Sequence, residues 1–240
     1  MSAPPEFYPA LVLLPGTRWA ASQWDAYHAL LPGVRIITPD LPGHGRRAGE
    51  PFTGEAALAV ISEAVAEAGP RPVLAGHSLG GYLAMAWAAR HPHALSGLVP
   101  ISATGDPGSR LAWTYRAFER FSTGADPERL ALWTSRLMRW LGARGPLPDS
   151  TGYAALPAAW QYVLDEVGPE TLRAVTCPVV LVNGRFDQMR AHVGRFAAAA
   201  HDVQVVTVPG ATHLLPNTHP GTMAMILRAA LDSAAEQPAR

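Results

Sequence analysis

Lysine is absent from this chain of 240 residues, so all 19 of its Lys+Arg side chains are arginines. That excludes covalent catalysis through a lysine imine and phosphate binding by a P-loop lysine. Cysteine is nearly absent as well. Cys177 alone cannot close an internal disulfide or hold a structural zinc. It stands before Pro178 at the start of an apolar run, where a buried, inert thiol is expected. Charge is sparse at 16% of residues, and the formal net charge is zero. This gives no electrostatic reason to expect nucleic acid or an anionic membrane as partner. No apolar run approaches the roughly 20 residues that span a bilayer. The opening MSAPPEFYP has neither a basic segment nor an apolar core, so it does not read as a secretory signal. The expectation is a cytoplasmic protein, soluble, of one domain.

What the chain does contain is a distinctive stretch at residues 72–90, PVLAGHSLGGYLAMAWAAR. A short apolar run leads into Gly76-His77-Ser78-Leu79-Gly80-Gly81, and an Ala-rich helical segment follows. This is a G-x-S-x-G pattern in the strand–turn–helix setting that its chemistry requires. The turn is so tight that its central residue is strained, and glycines on either side remove the side-chain clashes. The Ser78 hydroxyl then projects from the tip. It becomes a nucleophile only if a base and an oxyanion site lie nearby.

The remainder alternates short apolar runs with helical patterns. Runs at 10–14, 34–38, 97–102, 179–182 and 203–208 predict strands, and turn signals follow each. Helical spacing appears at 24–31, 54–68, 188–200 and 221–230. From residue 105 to about 168 the β-type runs stop and three helical patterns take over. Asp126-Pro127-Glu128 opens one of them with a carboxylate cap and a proline at the first helical position. Its apolar face carries Leu130, Trp133, Leu137 and Leu141. Another spans 154–167 and is interrupted early by Pro157.

Such alternation implies βαβ units and a mostly parallel sheet of about six strands, covered by helices on both faces. Ligands of these sheets bind beyond the carboxyl ends of the strands. Thr17, Asp40, Ser78, Ser102, Asp187 and His213 each follow a strand, so they gather along that edge. The insertion leaves the same edge and is expected to fold over it. The division expected is a core of 1–104 and 169–240 with a helical cap of about 105–168.

The chain resembles the α/β-hydrolase family, in its small serine esterase/lyase form. The matching features are GHSLGG, DLPGHG after the second strand, LLPG-T before the first helix, PVVLVNGRFD, and PGATHLLPNTHP near the C-terminus. Two departures are visible. The first strand begins near residue 10, so the family's N-terminal hairpin is absent, and the usual His-Gly before the oxyanion turn is Pro15-Gly16. The resemblance implies a triad in the order Ser, Asp, His.

On that basis Ser78 is the nucleophile, His213 the base and Asp187 the orienting carboxylate. His219, six residues beyond His213, is a rival base, and Asp106 is a rival acid. His77 is expected to point away from Ser78 across the turn, and His44 to lie near the site. His28, His91, His93, His192 and His201 are expected to be solvated, and Asp40 to brace its loop. The backbone N–H groups of Thr17 and Leu79 are expected to form the oxyanion hole. Within the cap, Trp113, Trp133 and Trp160 are candidates for an apolar substrate pocket. The cap arginines read as a solvated face, although one turned inward would suit a substrate bearing a carboxylate.

The function expected is hydrolysis of a carboxylic ester or lactone with an apolar moiety, through an acyl-enzyme on Ser78. It would use a small-molecule substrate, no metal and no organic cofactor, in a monomer or homodimer. Two alternatives stay open: a lyase or C–C bond hydrolase using the same residues for proton abstraction, and a ligand receptor with little turnover.

Overall fold

The computed structural model describes residues 8–106, 108–109, 126–148 and 150–236. Its centre is a six-stranded, wholly parallel sheet built from β1 (Leu11–Leu14), β2 (Ile36–Ile37), β3 (Val73–His77), β4 (Gly97–Ile101), β5 (Val179–Gly184) and β6 (Val203–Val208). They lie side by side in the order β2-β1-β3-β4-β5-β6. The chain reverses its direction of travel across the sheet beside β1 and β3, which places the residues after those strands at the switch point where ligands bind.

Alternate residues of each strand enter two separate cores. Val12, Leu14, Leu74, Leu98 and Leu181 pack with helices α2 (Gly54–Ala68) and α3 (Leu79–Arg90). Leu11, Leu13, Val73, Ala75, Val99 and Ile101 pack on the other face with the last helix (Pro220–Ala235), with Tyr27 of α1 (Asp25–Leu30) and with Trp24 just before it. A strand buried on both faces has no polar positions to alternate, which is why β1 and β4 read as unbroken apolar runs, whereas the edge strand β6 carries Gln204 and Thr207.

Boundaries moved where only one side of an element is held. The edge strand expected at 34–38 shortens to two residues, registered Leu11↔Ile36 and Val12↔Ile37. It has one neighbour rather than two, and Pro39 has no N–H to extend the ladder. The last helix starts one residue earlier than expected, at Pro220, which needs no N–H partner in the first turn, and continues five residues beyond the expected end to Ala235.

Between β4 and β5 the described residues include α4 (Pro127–Trp140), a 3₁₀ turn at Thr151–Tyr153, and α5 (Leu156–Glu166). The Asp126 carboxylate accepts from Glu128 N and Arg129 N at 2.9 and 3.1 Å, a cap worth about 1 kcal/mol. Pro157 does not interrupt α5; it sits in its first turn, where no backbone donor is lost. The apolar stripe expected on α4 does not face inward. Trp133 is 63% exposed, while Ala131 and Thr134 are buried and Met138 is half-buried, so the inward face is the small and hydroxylated one. Among the described residues no helix is long and apolar enough to cross a membrane.

Candidate active site

Ser78 ends the β3 segment and precedes α3 at φ 51° and ψ −115°, a left-handed backbone that a side chain rarely tolerates. The turn is locked from both sides. Ser78 N–H donates to Ile101 O at 2.8 Å, and Ser78 O accepts from Gly81 N and Tyr82 N. A Cβ on Gly76 would stand 2.3 Å from the backbone of Gly80, so the strand and helix can cross here only with glycine.

The turn after β6 brings His213 to the same point. Its Nε2 lies 3.1 Å from Ser78 Oγ, and its Nδ1 lies 3.1 Å from Asp187 Oδ1. Asp187 follows β5 and is itself held, its Oδ1 also accepting from Met189 N at 2.9 Å. Burial alone would raise the pKa of Asp187. The hydrogen bond and charge of His213 outweigh it, with help from the Ser102 hydroxyl and the Met189 N–H, so the carboxyl is held below its ordinary value.

Asp106 occupies a different place. Its Oδ2 pairs with Arg195 Nη1 at 2.6 Å and its Oδ1 accepts from Gly108 N, while its own N–H donates to His192 Nδ1 at 3.1 Å. His192 is therefore engaged rather than solvated. His219 turns away from the serine to the Thr218 hydroxyl, 2.8 Å from its Nδ1. Asp40 braces its loop through Ala21 N, Arg46 N and Arg46 Nε.

His77 departs from expectation. It lines the same cavity as Ser78 and sits beside His213, with ring centroids 5.1 Å apart. The cause is a buried polar network whose members are scattered along the chain and form no motif. Gly16 N donates to Gln23 Oε1 at 2.9 Å, which fixes the amide orientation and points Gln23 Nε2 at His77 Nδ1 and Asn217 Oδ1, at 2.9 and 3.1 Å. His77 Nδ1 must then accept, and its Nε2–H donates to His213 O at 2.9 Å. Burial first, and the neighbouring His213 second, push its pKa down to about 3, so His77 stays neutral. Asn217 carries the network into the insertion, its O accepting from Arg144 N at 3.0 Å and its Nδ2 donating to Arg144 O. His44 also differs from expectation. It is buried, donates from Nδ1 to Pro42 O, and is not part of the cavity wall.

Thr17 lines the cavity, and Leu79 begins α3 immediately after Ser78. Among the described hydrogen bonds, neither backbone N–H is spent on a protein acceptor. The cavity has a volume of about 330 Å³. The insertion supplies Met138, Leu156 and Trp160 to its wall, and the core supplies Arg18, Gln188 and Leu214 among others. Trp133 is not in that wall, because α4 turns its hydroxylated face inward, and Trp113 lies outside the described residues. Arg18 and Gln23 left no sequence signal beyond their place just after Pro15-Gly16-Thr17, since a lone polar residue in a loop or 3₁₀ turn has no periodicity to betray it. Cys177 is buried, and desolvation raises its thiol pKa to about 11, as the sequence suggested for an inert thiol.

The Alpha/beta hydrolase family profile matches residues 11–225. A pimeloyl-[acyl-carrier protein] methyl ester esterase of Aromatoleum aromaticum is 37% identical over 113 residues, 45% of this chain and 44% of that protein. The stretch matched in this relative is thus less than half its length. A Yersinia pseudotuberculosis protein of the same name is 26% identical across 90% of this chain and 91% of its own. Among solved structures, an esterase of Thermogutta terrifontis with malate bound superposes with a TM-score of 0.73 at 24% identity, covering 95% of this chain and 90% of that one. A non-heme bromoperoxidase of Mycobacterium tuberculosis gives 0.74 at 18% identity, covering 94% and 92%. With the profile spanning nearly the whole sheet and this strand order beneath it, the chain belongs to the alpha/beta hydrolase family.

Proposed function

We propose that this protein is a serine esterase that cleaves a carboxylic ester or lactone with an apolar moiety through an acyl-enzyme on Ser78. The observation that carries the reading is the relay Ser78–His213–Asp187, with both contacts at 3.1 Å on a strained turn. His213 Nε2 takes the Ser78 proton as Oγ bonds to the acyl carbon. The ester C–O bond then breaks, and the leaving alcohol departs with the proton from His213. Water repeats the sequence on the acyl-enzyme: it loses a proton to His213, attacks the acyl carbon, and returns Ser78 as the hydroxyl with release of the acid.

The N–H groups of Thr17 and Leu79 receive the negative charge that develops on the acyl oxygen. The amide of Leu79 gains from its place at the start of a helix of 12 residues. Asp187, ionised and buried, holds the imidazole in the tautomer that accepts from serine. Residues 105–168 act as a cap that selects the substrate, since three of the wall residues come from it. The relatives named for a methyl ester on a carrier-bound acyl chain suggest small alcohols as leaving groups.

A ladder of p-nitrophenyl esters tests the proposal. Hydrolysis should depend on Ser78, with Ser78→Ala lowering turnover by up to about a millionfold, and a fluorophosphonate should label the wild type alone. Resistance to the label together with no Ser78-dependent hydrolysis would sink the reading.

A further inference from the structure

Arg18 follows the oxyanion residue Thr17 directly, and its side chain shares a cavity wall with Ser78 and His213. Every partner it has among the described residues is neutral. Its Nη1 donates to Tyr153 Oη at 2.6 Å and reaches Thr134 Oγ1 at 3.5 Å, and its guanidinium carbon lies 4.9 Å from the Tyr153 ring centroid. Among the described residues no carboxylate comes within ion-pair distance of it, and no Asp or Glu lines the cavity. A guanidinium drawn out of water without a counter-charge is costly. Burial accordingly lowers its pKa from the ordinary arginine value, with Tyr153 offsetting only part of the effect.

The seat is a built one. Arg18 has φ 67°, in the left-handed region. The chain opposite must be glycine, because a Cβ on Gly152 would stand 2.5 Å from Arg18 Cα. Tyr153 follows that glycine in the 3₁₀ turn, and Thr134 reaches in from α4, so two pieces of the insertion aim the side chain. Both hydrogen bonds use Nη1. The Nε and Nη2 donors, which form the edge that meets a carboxylate side-on, have no protein acceptor among the described residues. On the preceding residue, the Thr17 hydroxyl is buried with no hydrogen-bond partner among the described residues.

We propose that Arg18 is the anion subsite of this active site and receives a carboxylate carried by the substrate's acyl chain, so that the favoured substrates are half-esters of dicarboxylic acids. Met138, Leu156, Trp160 and Leu214 form an apolar part of the wall, which accommodates the methylenes between the carboxylate and the scissile carbonyl. This inference rests on the esterase reading above.

The test compares p-nitrophenyl monoesters of succinic, glutaric and adipic acids with neutral p-nitrophenyl esters of equal chain length. At one length or more, wild-type kcat/KM should favour the acid by tenfold or more, chiefly through KM. Arg18→Gln should erase that ratio, and Arg18→Lys should restore part of it, since lysine keeps the charge but not the planar fork. No wild-type preference for the acids overturns the proposal. An equal loss on both series in Arg18→Gln overturns it too, because that is the signature of a purely structural tie. Should Arg18→Gln fail to fold, Arg18→Lys and the wild-type ratio decide the matter. Thermal stabilisation of the Ser78→Ala protein by glutarate separates binding from chemistry. Stabilisation that Arg18→Lys weakens, with no hydrolysis of any ester by the wild type, keeps the subsite and refutes the esterase. Ser78-dependent hydrolysis without acid preference does the reverse.

Discussion

Gln23 donates through Nε2 to His77 Nδ1 across 2.9 Å, from a position 54 residues earlier in the chain. Through that one amide the turn at Gly16, the residue before Ser78 and the backbone of His213 become parts of a single buried network. Gln23→Leu removes both ends of the amide and leaves the Gly16 N–H and His77 Nδ1 without partners. Each orphaned group costs about 1–3 kcal/mol of stability. The shifted oxyanion turn should lower kcat by about 10² or more, with a smaller change in KM. Steady-state kinetics beside urea unfolding measure the two effects, and a wild-type kcat in the folded variant would contradict the coupling.

Asp187 and Asp106 are both buried carboxylates near the site, but only Asp187 touches His213. Asp187→Asn should reduce turnover by about 10⁴, as expected when the base loses its tautomer. Asp106→Asn gives up an ion pair with Arg195, itself largely exposed, and should leave turnover close to wild type. A large loss at Asp106 and a small one at Asp187 would reverse the assignment.

Acid sensitivity should begin well above the carboxylate range. His77 has a folded pKa pushed down to about 3, against about 6.5 in the unfolded chain. Below pH 6.5 the unfolded chain takes up a proton at this ring that the folded protein refuses, so stability falls with pH. The decline is about 1.4 kcal/mol per pH unit until the folded value is reached. Asp187 acts in a lower window. Its folded pKa is depressed, so its contribution is complete above the unfolded value of about 3.9 and is lost as pH falls through the folded one. Urea unfolding between pH 5 and 7 should therefore show a shallower slope for His77→Gln than for wild type, and parallel lines would argue against this origin.

Trp160 and Trp133 are both tryptophans of the insertion, with 9% and 63% exposure. Trp160→Ala enlarges the cavity and should shift the preferred acyl length upward across an ester ladder. Trp133→Ala, altering an outward side chain, should leave that profile in place. An equal shift in both would mean that the wall is drawn wrongly.

Much of this was visible in the amino-acid order. Ser78 and Asp187 follow inner strands that are buried on both faces and read as apolar runs, while His213 follows the edge strand β6, where Val203, Val205, Val206 and Val208 mark the strand despite Gln204 and Thr207. GHSLGG carries its own geometry, since a Cβ at Gly76 or Gly80, two residues either side of the strained serine, would strike neighbouring backbone. The orientation of α4 was not visible. Its strongest apolar stripe suggested a buried face, yet the helix turns Ala131 and Thr134 inward, where a small side chain and a hydroxyl serve Tyr153 and Arg18. His77 misled for a related reason, because Gln23, which holds it, and Asn217, which holds Gln23, are far away in sequence and carry no motif.

Asn217 also bears on how this enzyme could be re-engineered. The insertion is an obvious unit to exchange between relatives, with its ends near residues 105 and 168. Yet Arg144, inside that unit, trades two hydrogen bonds with Asn217 on the segment just after His213. A graft cut at the two ends alone would replace the backbone that steadies this segment, and the His213 imidazole would inherit the misfit. A chimera that keeps the native stretch around Arg144 while exchanging α4 and α5 should retain a working relay under a new pocket.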